Sequence, residues 1–280
     1  MEQQLKVPES SLLKLLDDSL NNAKRLELMK ERKETIAKGR VKLEVTTDQE
    51  RLTVTRSVNR DKLSVSFPSS VLAVSTHTLR TIPKLLTFIL YKWSRNPNQQ
   101  SITFTMSELR SIGLYSKHTT VHESGIADML AVLQTTTLSV NIIKKEQRIR
   151  FDKTIFTSFT ADTQERRYTT FTLTGFTADV CTALCEYWMT LPTAYFGLSA
   201  NASNLLWAIE YIRRQNRNTN RVTMLYVIDS LGLPEVKRET MSLAVIKPIR
   251  QAIQEVNELD AGYHLTVSGE GRFENGYITF

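Results

Sequence analysis

Cysteine is almost absent from this 280-residue chain, which holds only Cys181 and Cys185. Four positions apart, they enclose too short a loop for a disulfide to restrain the unfolded chain usefully, and such scarcity suits a reducing compartment. Long apolar runs are missing too. The densest, Leu85 to Tyr91, falls far short of the ~20 residues that span a bilayer, so no membrane-spanning helix is expected. Glycine and proline are few, 10 and 7, while 41% of residues are hydrophobic and 8% aromatic, a balance that excludes wholesale disorder. The opening MEQQLKVPESSLLKLLDD carries acids early and shows no apolar signal core, so a cytoplasmic protein is expected.

Several chemical signatures are missing as well. The glycines never form the Gly-x-x-x-x-Gly-Lys-Ser/Thr loop that cradles phosphates, which excludes an ATPase of that kind. The His-apolar-His ligands of rolling-circle nickases are absent, leaving Tyr168, Tyr187 and Tyr195 without a metal to activate a scissile phosphate. His77-Thr78-Leu79-Arg80 has the His-x-x-Arg spacing of tyrosine recombinases, but no partner arginine is identifiable and Tyr91 lies within an apolar helix pattern. His118 and His122, with Cys181 and Cys185, make two pairs that in principle suit tetrahedral zinc. Neither has Cys-x-x-Cys spacing, and thiols beside Val180, Leu184 and Trp188 fit a core better. No enzyme activity, metal or cofactor is expected.

Against these absences stands an excess of positive charge. Lys+Arg number 36 and Asp+Glu 29, a net charge of +7 that favours a polyanionic partner. The length suits about two domains. Residues 5 to 38 read as mostly helical, with Leu12, Leu15, Leu16 and Leu20 on one face and a charge-rich continuation, a solvated helix against the main body. Strand-like alternation follows to Phe67. Thr81 is a plausible N-cap, with Pro83 in the first turn, and Ile82, Leu85, Leu86, Ile89, Leu90 and Trp93 form one apolar stripe. Then come the strand ITFTM, a brief helix ended by Gly113, a helix from Ser116 to Leu133, and a hairpin, LSVNIIKKEQRIRF. This is the order of a winged helix.

A similar order recurs downstream. A helix spans about Ser203 to Arg214, RVTM is a strand, YVIDSLGL closes on Gly232, a long helix carries Met241 to Leu259, and YHLTVSG pairs with GYITF. YKWSRN before ITFTMSELRSIGL parallels YIRRQN before RVTMLYVIDSLGL, which suggests duplication at a spacing of about 120 residues. The strands KTIFTSFT and RRYTTFTLTG are expected to extend the first sheet. The fold class is α+β: tandem winged-helix domains related by internal duplication, with an N-terminal helical segment at 1–40 and domains at 41–195 and 196–280.

The residues NLLWAIEYIRRQ, RVTMLYVIDSLGLP, VIKPIRQAIQEVNELDAGYHLTV and GRFENGYITF resemble the iteron-binding plasmid replication initiators, which have two winged-helix domains. The likeness covers roughly Ser203 to Phe280, and the first half mainly by element order. It departs at Met241-Ser242-Leu243-Ala244, where that family carries an aromatic and basic cluster, so its base-reading residues are not transferred. The resemblance implies a protein that binds direct repeats at an origin and recruits host replication proteins. It also implies a major-groove reader in the C-terminal domain, a dimerising and phosphate-contacting N-terminal domain, and a homodimer when free. A transcriptional repressor or partition-type regulator of the same fold, a strand-cutting enzyme and a protein-interaction scaffold are the rival readings.

A helix-turn-helix needs donors where its second helix begins and cations around the groove. In the second domain Lys237, Arg238, Thr240 and Ser242 stand at that start, Lys247 and Arg250 farther along, and Arg213, Arg214, Arg217 and Arg221 around the preceding turn. Pro248 is expected to kink or divide the long helix. In the first domain Lys117, His118 and Thr119 hold the equivalent start, and Lys144, Lys145, Arg148 and Arg150 crowd a hairpin tip. Ile155, Phe159, Phe171 and Leu173 are candidates for a dimer edge.

Overall fold

The computed structural model describes residues 4–26, 35–38, 41–47, 50–115, 123–144, 147–164, 167–215, 219–233, 242–259, 262–268 and 276–280. Strand β1 (Gln4–Glu9) leads into α1 (Ser11–Asn21), followed by the meander β2 (Thr35–Lys38), β3 (Val41–Thr47), β4 (Arg51–Val58) and β5 (Asp61–Pro68). Helix α2 (Thr76–Arg95) precedes β6 (Ser101–Thr105), α3 (Met106–Ser111), α4 (Glu123–Thr135), β7 (Thr137–Lys144), β8 (Gln147–Thr154), β9 (Ser158–Gln164) and β10 (Arg167–Thr174). Then come α5 (Ala178–Leu184), β11 (Tyr187–Pro192), α6 (Ala200–Gln215), β12 (Arg221–Thr223), α7 (Met224–Leu231), α8 (Lys247–Asn257), β13 (Thr266–Ser268) and β14 (Tyr277–Thr279).

The N-terminal region departs from the helical expectation for residues 5–38. β1 pairs antiparallel with β11, Val7 opposite Met189, so its backbone bonds go to a strand far along the chain. Local periodicity gives no hint of such a partner. α1 starts at Ser10, whose hydroxyl accepts from the Leu13 amide at 3.0 Å, and it is enclosed rather than solvated. Leu12, Leu13, Leu16 and Leu20 are buried together with Lys14, Asp17, Ser19 and Asn21, and the helix touches α2, β5, α5 and α7.

Helix α2 takes its apolar stripe into the same core but begins earlier than Thr81 suggests. Ser75 is the cap, accepting from the Thr78 amide at 3.1 Å, which places Pro83 inside the helix. Against α1, α4 and α5 lies a six-stranded antiparallel sheet in the order β2-β3-β4-β5-β7-β8. Leu52, Val54, Leu63, Val65, Phe67, Leu138 and Val140 point inward by the two-residue period of a strand. On the alternate positions hydroxyls pair across strands, Thr53 with Ser66 and Thr55 with Ser64, each at 2.9 Å. The hairpin expected around 144–147 is present as β7–β8, but as the outer arm of this large sheet.

Two small sheets complete the fold, and they have the same order. In the first unit, β6-β10-β9, the strand before α3 pairs with the last strand of the hairpin; in the second, β12-β14-β13, the strand before α7 does likewise. Other details match. Pro68 and Pro192 each end a strand and precede a 3-10 turn; Thr105 and Thr223 each cap a short helix through their hydroxyls; Gly113 and Gly232 each follow it with positive φ. Strands β9 and β10 thus join β6, but in a sheet that does not hold the β7–β8 hairpin, and the strand expected over KTIFTSFT is split between the end of β8 at Thr154 and the start of β9 at Ser158. Ile155, Phe171 and Leu173 are fully buried and Phe159 packs on the core, so these side chains serve the interior rather than an open edge.

Lys84 ties the two units together. It is 5% exposed, and its Nζ donates to the carbonyls of Leu198 at 2.6 Å and Phe196 at 3.4 Å. Burial lowers its pKa to about 8, with Glu255 pulling the other way. A folded-state pKa below the unfolded value of 10.5 means that its contribution to stability is present above 10.5 and lost as pH falls through about 8. Thermal unfolding of Lys84→Met and wild type across this range checks it. The variant should gain on wild type as pH drops from 10.5 to 8, with the difference flat below; a difference independent of pH would contradict the shifted amine.

Candidate nucleic-acid interface

The second unit presents its chemistry through α7, α8 and the segment before α8. Thr223 starts α7, accepting from the Tyr226 amide at 3.4 Å, and Gly232 ends it in the left-handed region with φ 60°. A side chain at Gly232 is excluded twice, by that φ and because a Cβ would collide with the Asn21 carbonyl. The close approach belongs to a cluster of contacts. Asn21 Nδ2 donates to the Ser230 carbonyl at 2.9 Å, Asn22 Nδ2 to the Asp229 carbonyl at 2.7 Å, and Arg25 Nη1 to Asp229 Oδ1 at 2.6 Å. Arg80 of α2 donates to the Gly232 carbonyl, and Asn204 Nδ2 of α6 to Asn21 Oδ1 at 3.1 Å. Side chains of α1 and α2 thereby satisfy carbonyls that a helix end leaves open.

A five-residue π-helical turn, Ser242–Ile246, runs into α8, and Pro248 sits in the first turn of α8. Pro248 thus marks a division of the long helix, one of the two expected outcomes: the π-helical turn gives way to α8 at Lys247, and proline is tolerated in the first turn of the second piece. Val245, Ile249, Ala252, Ile253 and Val256 turn inward, whereas Leu243, Lys247, Arg250, Gln251 and Gln254 are exposed on one face. Lys247 and Arg250, both among the expected contacts, therefore face solvent together on the first turn of a helix. Lys237, Arg238, Thr240 and Arg217 lie outside the described residues, as does the side chain of Ser242.

Of the three other arginines around the turn, two are engaged within the protein. Arg213 pairs with Glu210 at 2.8 Å and lies over the rings of Tyr263 and Phe280, at 5.6 and 5.0 Å. Arg214 pairs at 2.9 Å with Glu9, a fully buried carboxylate, lies over Tyr187 at 4.8 Å and donates to the Trp188 carbonyl. Burial raises the Glu9 pKa, and Arg214 opposes that rise. Arg221 is exposed beside the Tyr277 ring at 5.4 Å. Arg214 thus helps hold β1 against α6, and Arg221 stands open at the sheet edge.

In the first unit Lys117, His118, Thr119 and Lys145 lie outside the described residues, as do the side chains of Lys144 and Arg148; Arg150 is exposed on β8. Sequence reasoning missed a groove of ≈ 520 Å³ between α3 and the β9–β10 hairpin. It is lined by Ser107, Arg110, Gln164, Arg167, Thr169 and Thr170, a set of donors suited to phosphate oxygens. The signal was present in the matched words ITFT and FTLT, which pair as Phe104 opposite Phe171 and bring Arg167 alongside α3. Among the described residues no three His, Cys, Asp or Glu cluster as a metal site. Both thiols are raised by burial, that of Cys185 to about 12, which keeps it protonated.

No family model and no curated protein sequence matches the chain. Among solved structures, that of RctB domains 2-3 superposes with a TM-score of 0.52 over 83% of this chain and 91% of that one, at 12% identity. The chain has the fold of these RctB domains. The superposition spans most of both chains, so the likeness to RctB extends beyond either small sheet. No described helix is long and apolar enough to cross a membrane.

The contacts around Gly232 have a measurable consequence. Gly232→Ala should lower unfolding stability by about 1–3 kcal/mol for the backbone alone, and more if the Asn21 carbonyl resists displacement. Chemical denaturation is the measurement; unchanged stability would mean that α1 does not sit against this turn.

Proposed function

We propose that the chain is a non-enzymatic, sequence-specific double-stranded DNA-binding protein that initiates plasmid replication at direct repeats in an origin and recruits host replication proteins. The observation that carries the reading is the shared fold: RctB is a replication initiator, and its domains 2-3 match this chain over most of its length. Each small unit is taken as a winged helix, with β9–β10 and β13–β14 as the wings. The matched prolines, threonine caps and glycines, spaced by about 120 residues, support an internal duplication.

In this reading α8 enters the major groove, with Lys247 and Arg250 toward bases or phosphates and Lys237, Arg238, Thr240 and Ser242 ahead of them. The first unit holds the backbone through Lys117, His118 and Thr119, through the groove at Arg110 and Arg167, and through the Lys144–Arg150 hairpin of the large sheet. The net charge of +7 supplies the general attraction. The free protein is a homodimer, for which β9, at the end of its sheet, offers an edge. The protein works in the cytoplasm.

A plasmid carrying the repeats that flank the gene, but lacking the gene, should replicate only when the chain is supplied in trans; replication without it would refute the initiator role. On a duplex enriched by the wild type from a randomised pool, Arg250→Ala should cost about 1–3 kcal/mol. It should change affinity for random duplex far less. Equal losses on both duplexes would make Arg250 a phosphate contact instead of a base reader.

A further inference from the structure

The exposed face of α8 and its preceding π turn carries Leu243, Lys247, Arg250, Gln251 and Gln254 in order. Four of these five carry hydrogen-bond donors, that of Gln254 reaching Glu258 Oε1 at 2.8 Å. Arginine and lysine match the acceptors of guanine, and glutamine matches adenine, so the stripe contains partners for two of the four bases in polar form. Leu243 is the exception. At 74% it is the most exposed large apolar side chain among the described residues, while Val245, two positions on, is buried. Its place is the N-terminal end of the stripe, the part of a reading helix that lies closest to base edges.

The major groove displays one apolar feature, the C5 methyl of thymine. We propose that Leu243 is a specificity-determining residue that packs against a thymine methyl in the target duplex. This deepens, and rests on, the DNA-reading role assigned to α8 above. The two cations farther along the same face argue for this occupant over an apolar protein groove, since a duplex is the partner that rewards an apolar tip followed by positive charge. Removing the methyl from the water-exposed groove and covering the leucine are the same event, so the gain is realised only when the base is thymine.

The test uses the full chain and a duplex enriched by the wild type from a randomised pool, prepared with thymine or with uracil at every thymine position. Uracil pairs identically and lacks only the methyl. Wild type should bind the uracil duplex more weakly, by about fourfold for each methyl contacted. Leu243→Ala, with a thermal unfolding midpoint matching wild type, should bind the thymine duplex more weakly than wild type and no longer distinguish the two. Wild type binding both equally would overturn the assignment, as would a Leu243→Ala variant that still prefers thymine. Failure to enrich any sequence would instead remove the DNA-reading role, and this inference with it; enrichment without uracil sensitivity removes the Leu243 assignment alone.

Discussion

The C-terminal turn of α7 ends against the side of α1, and the rest of the architecture depends on that contact. A helix end leaves carbonyls without partners, and a left-handed glycine lets the chain turn tightly enough for another element to reach them. Here Asn21 and Asn22 reach them from α1, and Arg80 from α2. Because α1 is itself packed among α2, β5 and α5, the second unit's helix pair is anchored in the first unit's core. Lys84 adds a buried attachment at the connection near Leu198. An orientation set by several such contacts has little freedom, which suits the proposed role, in which both units meet one DNA duplex in register.

Much of the local structure was legible because it is local. The stripe from Ile82 to Trp93, the short helix closing on Gly232 and the final strand pair all follow from period, caps and turn glycine. What escaped was settled by distant partners. β1 is a strand because β11 receives it; α1 looks amphipathic in isolation, yet its polar face carries Lys14, buried and paired with a half-exposed Asp18, and Asn21, which meets α7. The two hairpins of the first half have similar alternation, and only sheet pairing shows that β9–β10 belongs with β6 while β7–β8 belongs with β5.

The candidate interface was legible to a lesser degree, for a physical reason. A cation count treats all arginines alike, whereas Arg213 and Arg214 are held by carboxylates and aromatic rings, and Lys247, Arg250 and Arg221 stand in solvent. Sequence spacing cannot separate these roles, because the deciding partners, Glu9 above all, come from elsewhere in the chain. Arg167 was overlooked for the converse reason: it reads as an ordinary strand residue until β10 pairs with β6 and brings it beside α3.

The proposed function makes the two units one rigid DNA reader whose spacing α1 and α7 fix. It is tested most directly by footprinting the protein on its enriched duplex, then inserting five base pairs between the two protected stretches and measuring affinity again. Half a helical turn places the second stretch on the opposite face of the duplex. A rigid reader should lose one unit's protection and most of its specific affinity. Retained affinity, with both stretches still protected, would show that the units move independently and would contradict the account.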